Sequence, residues 1–140
     1  MLAESGADSM TFYETSGWCG VMETAAGCPL PELYHVLADI GDFAGGEVVA
    51  TDSGRPLELV SLLLRKGGRR RLMLANLTPS PQQARLPMPR STVISRVLDS
   101  TTVHAAKTRP EAFRACLTPW HGPFLVLAPH ALVTMDFPDA

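Results

Sequence analysis

Glu14 is the side chain in this sequence best placed for acid–base or nucleophilic chemistry. It follows the short β-favouring run Met10-Thr11-Phe12-Tyr13 and precedes a loop that carries Gly17, Trp18 and Gly20. In a parallel α/β barrel the reacting side chains stand at the C-terminal ends of the strands, where the loops converge. A carboxylate there can serve as acid, base or nucleophile in glycosyl or acyl transfer. That chemistry draws on a second carboxylate or a positioned histidine from another strand, and no other strand of the barrel type follows in the chain. The alternative is a strand-end carboxylate that accepts backbone hydrogen bonds from its own loop. Trp18 offers either a stacking face for a sugar ring or a plug for the barrel end. Glu14 is therefore the catalytic candidate and Trp18 the substrate-binding candidate.

The remaining constellations are weaker. Cys19, Cys28 and His35 match no zinc-ligand spacing and lack a fourth ligand, so no metal is expected. Cys116 lies near His121 and His130 without the signature of a thiol nucleophile, and a small buried thiol is the expectation. No Gly-rich phosphate loop, Gly-x-Ser-x-Gly elbow or His-Glu-x-x-His pair occurs, and no cofactor is expected. The basic run Arg65, Lys66, Arg69, Arg70 and Arg71 flanks Gly67-Gly68 and reads as a solvated hairpin tip. In Leu74-Ala75-Asn76-Leu77-Thr78-Pro79 the side chains of Asn76 and Thr78 are suited to hold a turn.

Composition narrows the class. The chain has 140 residues, 46% hydrophobic and 19% charged, with a formal net charge of -2, which suits a folded domain and argues against a nucleic-acid binder. Its apolar runs are too short to span a membrane, so no membrane partner is expected. Three cysteines and an opening that lacks a basic, then apolar, leader point to reduced thiols and a cytoplasmic setting.

The elements that would position these residues fall into two parts. Residues 1–46 read as a strand–loop–helix unit of a truncated TIM-like barrel: a helix end at Gly6, the strand 10–13, a loop over 15–30 and a helix over 31–44. Leu33, Val36, Leu37 and Ile40 recur at helical spacing, and this face is expected to dock on a sheet. Residues 47–140 read as a small antiparallel β-sandwich, so the fold class is mainly β with one or two helices. Strands are predicted over 47–52, 57–66, 69–77, 82–86, 92–98, 124–127 and 131–137, the last two pairing across 128–130. A single helical turn is predicted over 108–115, opened by Pro110.

The joint from Leu2 to Trp18, with Gly20-Val21-Met22-Glu23-Thr24 and Tyr34-His35-Val36-Leu37-Ala38-Asp39, resembles the last barrel strand and helix of the D-apionate lactonase family. Leu74 to Pro79, Leu127 to Ala131 and Met135-Asp136-Phe137 resemble that family's C-terminal β domain. The resemblance implies a glycosidase-like barrel in the parent enzyme, hydrolysis of a sugar-acid lactone, and a sugar acid or sugar lactone as its ligand. The chain is then expected to be a C-terminal fragment of such a carbohydrate-active hydrolase, structural and inactive alone. The alternatives are a stand-alone β-sandwich module that binds carbohydrate or protein, and a small enzyme that uses Glu14 in an oligomeric site.

Overall fold

A computed structural model of the protein describes residues 32–86 and 92–138. In chain order the elements are α1 (Leu33–Gly41), β1 (Glu47–Val49), β2 (Leu59–Lys66), β3 (Arg69–Asn76), β4 (Gln82–Arg85), β5 (Val93–Leu98), α2 (Val103–Thr108), α3 (Pro110–Ala115), β6 (Thr118–Trp120), β7 (Phe124–Leu127) and β8 (Leu132–Pro138). Six strands form one antiparallel sheet in the order β1-β2-β3-β8-β5-β6, and β4 pairs with β7 in a second, two-stranded sheet. The expected class, mainly β and antiparallel, is the one observed; the expected strand over 10–13 lies outside the described residues.

Side-chain alternation gives the large sheet two different faces. On one, Leu59, Leu74, Val93, Val133 and Met135 meet Leu86, Leu125 and Leu127 in a single apolar core. Leu127, Met135 and Val93 are fully buried there. On the other face, Leu62, Leu64 and Met73 pack with Phe43 and with Val36 and Ile40 of α1. The β2–β3 turn is fixed by Gly67 and Gly68, both at positive φ (53° and 80°), the conformation a two-residue hairpin with right-handed strand twist requires. It sets the register Lys66↔Arg69 through Leu59↔Asn76.

Three expectations are corrected. β7 and β8 do not pair: β7 joins β4, whereas β8 lies between β3 and β5 at the centre of the large sheet. The link over 128–130, with His130 at φ 55°, carries the chain from one sheet to the other. Leu125 and Leu127 thus face Val133 and Met135 across the core. Apolar spacing alone is equally compatible with side-by-side pairing and face-to-face packing, so it could not separate the two. The single helical turn is two short helices. Pro110 disfavours helical geometry at the residue before it; Arg109 accordingly sits at φ -140°, ψ 62°, which ends α2 and begins α3. The basic run is not all solvated, because Arg71 is 5% exposed.

Helix α1 is shorter than expected, and its contact face is more polar. Val36 and Ile40 do pack against the sheet-side cluster, but the residues it buries fully are His35 and Asp39, one turn apart. The apolar stripe therefore forms one edge of the interface and a charged side chain its centre.

Candidate functional site

Glu14 and Trp18 lie outside the described residues, as do Cys19 and Cys28. What the described residues do assemble is a charge cluster between α1 and the sheet. The register Met73↔Thr134 and Arg96↔Thr134, with Arg71↔Asp136 one step along, turns Arg71, Arg96, Thr134 and Asp136 toward the same face. α1 lowers Asp39 onto them, Asp42 follows just past its end, and α3 adds Arg114.

Asp39 is 1% exposed. Nη2 of Arg96 donates to both of its carboxylate oxygens, at 2.5 and 2.6 Å. Nη1 of Arg114 donates to Oδ1 at 2.8 Å and the Thr134 hydroxyl to Oδ2 at 2.8 Å. Arg71 spans the neighbouring acids: Nε and Nη2 hold Asp136 at 2.7 and 2.9 Å, and Nη1 donates to Asp42 at 2.7 Å and to the Asp39 carbonyl at 3.0 Å. Arg114 also reaches Asp42 at 3.0 Å, and Arg96 donates to the Arg114 carbonyl at 3.0 Å. Phe43 lies against Arg71 at 5.0 Å and Phe113 against Arg96 at 5.5 Å, so aromatic faces cover guanidiniums that water does not reach.

Three carboxylates thus meet three guanidiniums, and their charges balance locally. Burial opposes ionisation of Asp42, but the hydrogen bond from Arg71 and the charges of Arg71 and Arg114 overcome it and hold the carboxyl below its ordinary value. Burial likewise disfavours the charge on Arg71, yet its bonds to Asp136 and Asp42 more than offset this and push its pKa above the ordinary arginine range. Asp39 has both oxygens occupied and no access to solvent, so it cannot reach a reacting molecule. The cluster is a fastener. Its strength lies in the penalty for opening it, since an unpaired buried charge costs far more than the pair contributes over an apolar packing.

His35, also on α1, has its Nε2–H donated to the Ala106 carbonyl at 2.9 Å, which leaves Nδ1 as an acceptor with no partner among the described residues. Burial pushes its pKa below the ordinary value, against the hydrogen bond to Ala106. Its ring stacks edge-on with Phe113 at 4.8 Å. Among the described residues no group of three His, Cys, Asp or Glu side chains could hold a metal ion. Cys116 is exposed rather than buried as expected. Asn76 behaves as its sequence suggests. It is 2% exposed, accepts from the Thr78 amide and hydroxyl at 2.9 and 2.8 Å, and donates to the carbonyls of Ser80 and Ala128, both at 2.8 Å.

Sequence reasoning did not single out Asp39, Arg96 or Arg114. One signal was available: Arg96 interrupts the apolar strand Val93–Leu98 near its middle, and a charge in that setting must find a buried partner.

Residues 56–135 match the family model described as D-apionate lactonase, C-terminal immunoglobulin-like domain, over more than half of the chain. The fold is similar to that of a glycoside hydrolase family 30 endoxylanase from Clostridium papyrosolvens, with TM-score 0.55 and 12% identity over 79% of this chain and 28% of that one. It is also similar to a glycoside hydrolase family 30 subfamily 8 xylanase from Clostridium acetobutylicum, with TM-score 0.61 and 14% identity over 86% of this chain and 31% of that one. At such identity the likeness is one of fold, and the chain spans less than a third of either structure. No curated protein matches it.

Proposed function

We propose a function from one premise: the chain belongs to the family of D-apionate lactonase C-terminal immunoglobulin-like domains. On that premise it is the C-terminal part of a carbohydrate-active hydrolase whose substrate is a sugar-acid lactone, and its own task is structural. The observation that carries this reading is the Asp39 cluster. It fastens α1, the helix that follows the Glu14–Trp18 segment in the chain, to the centre of the immunoglobulin-like sheet. A helix held by three guanidiniums cannot slide on its sheet without opening buried ion pairs. The β domain is then a brace that fixes the orientation of the last barrel helix. Glu14 is the acid–base candidate of the parent enzyme and Trp18 its sugar-stacking candidate, both acting with residues beyond this chain. The likeness to two xylanase structures supports a carbohydrate-active setting for this arrangement of elements.

The test is hydrolysis of several sugar-acid lactones by the purified chain, its folding verified by circular dichroism, beside a Glu14→Gln variant. A folded chain without turnover agrees with a bracing domain. Turnover that disappears in Glu14→Gln would show that the chain assembles a site by itself and would contradict the structural reading.

A further inference from the structure

The two-stranded sheet does not cover all of the sandwich face of the large sheet. Among the described residues a cleft of about 520 Å³ stays open between β4 and the β2–β3 end. Its floor is apolar: Leu63, Leu72, Leu74 and Phe137 from the large sheet, with Ala84 and Leu86 on the β4 side. Arg55, Arg70, Arg85 and Asp52 stand around it, and Arg55 is already paired with Glu58.

The cleft is held open by specific bonds. Arg55 donates to Glu58 and Gln82, both at 2.9 Å, and to the Gln83 carbonyl at 3.1 Å, which ties the loop before β2 to β4 across the mouth. On the opposite wall the Ser61 hydroxyl donates to the Thr51 hydroxyl at 2.8 Å, and that hydroxyl donates to the Ser61 carbonyl at 3.2 Å. These two hydroxyls answer each other. Asp52 is turned to the Gly54 amide at 2.8 Å. Arg85, by contrast, forms no ion pair or hydrogen bond among the described residues.

We infer that this cleft binds a small amphipathic carboxylate, an apolar body of several carbons seated on the leucine floor with its anionic head against Arg85. Two features set the class. An apolar floor gains from burying hydrocarbon and gives little to a polyhydroxylated body, whose hydroxyls over the leucines would lose water without a partner there. A guanidinium at a cleft edge selects a planar carboxylate, which it can hold with two parallel bonds. The site is separate from the α1 face and makes no use of the sugar-acid chemistry proposed above; it stands whether or not that chemistry holds.

The test is a methyl-NMR titration of the folded chain with octanoate, and in parallel with octanol and gluconate. Octanoate is expected to shift the methyls of Leu63, Leu72 and Leu74 saturably, octanol to bind at least tenfold more weakly, and gluconate to leave them unmoved. Arg85→Glu is expected to weaken octanoate at least tenfold and leave octanol unchanged, since Arg85 is exposed and its loss removes no bond among the described residues. Leu63→Trp, which fills the floor, is expected to weaken both. Silence of the methyls toward octanoate would overturn the inference. So would a response to gluconate in its place, octanoate binding indifferent to both substitutions, or methyl shifts that follow protein concentration without ligand and so report a second copy on the cleft.

Discussion

The two faces of the six-stranded sheet are closed by different physics. Toward β4 and β7 the contact is leucine, valine and methionine, non-directional and tolerant of small rearrangement. Toward α1 the centre of the contact is Asp39 held by Arg96, Arg114 and Thr134, where each bond has a required direction and each group a cost if left alone. The apolar face holds the domain together and leaves a cleft where the smaller sheet ends. The charged face admits one position of one helix. A fold that must only be stable needs the first kind; a fold that must hold another element at a set angle gains from the second.

That contrast can be broken by substitution. Asp39→Ala, which leaves Arg96 buried without its carboxylate, is expected to cost about 4 kcal/mol in urea unfolding, the middle of the range for breaking a buried ion pair. Loss of less than about 1 kcal/mol would mean that the guanidiniums find water and that the face is not closed. Leu127→Ala, at a residue of 0% exposure on the opposite face, is expected to cost about 3 kcal/mol through lost burial and the cavity left behind. The two should also differ in kind: the leucine variant should keep the α1 amides protected from hydrogen exchange relative to the sheet, and the aspartate variant should expose them first.

A smaller effect, and a sharper one, concerns pH. Burial lowers the folded-state pKa of His35 from its ordinary value of 6.5. The unfolded chain therefore takes up the His35 proton first as pH falls, and stability declines from about that value downward. The Asp42 carboxyl, lowered from 3.8, contributes stability that is present above that value and is lost only in stronger acid, as pH falls through its folded-state pKa. The melting temperature should thus fall in two steps, and His35→Phe should flatten the first and leave the second. A first step that survives His35→Phe would assign it to another group.

The sequence carried the apolar face in plain form and the charged face almost not at all. The apolar runs in Leu59–Lys66 and Arg69–Asn76, with Gly67-Gly68 between them, are sufficient for the central hairpin, and Asn76 with Thr78 announces the turn that follows. The exchange of partners by β7 and β8 was not legible, because pairing and packing use the same apolar residues. Nor was the Asp39 cluster. Arg71 sits in a run of basic residues, and Arg114 in a short helix, so each reads as solvated until the register brings them under α1. The candidate chemistry was read from Glu14 and Trp18, which lie outside the described residues; what the structure describes is the helix that follows them in the chain and the sheet it is fastened to.

The central claim is that Asp39 locks α1 to the sheet through Arg96, and a double-mutant cycle between them tests it most directly. Asp39→Ala, Arg96→Met and the double variant would be compared by urea unfolding. If the lock is real, each single variant strands a buried charge and the double variant strands none between this pair. The double loss should then fall short of the summed single losses by about 2 kcal/mol or more. Losses that add to within about 0.5 kcal/mol would show two independent residues and no lock.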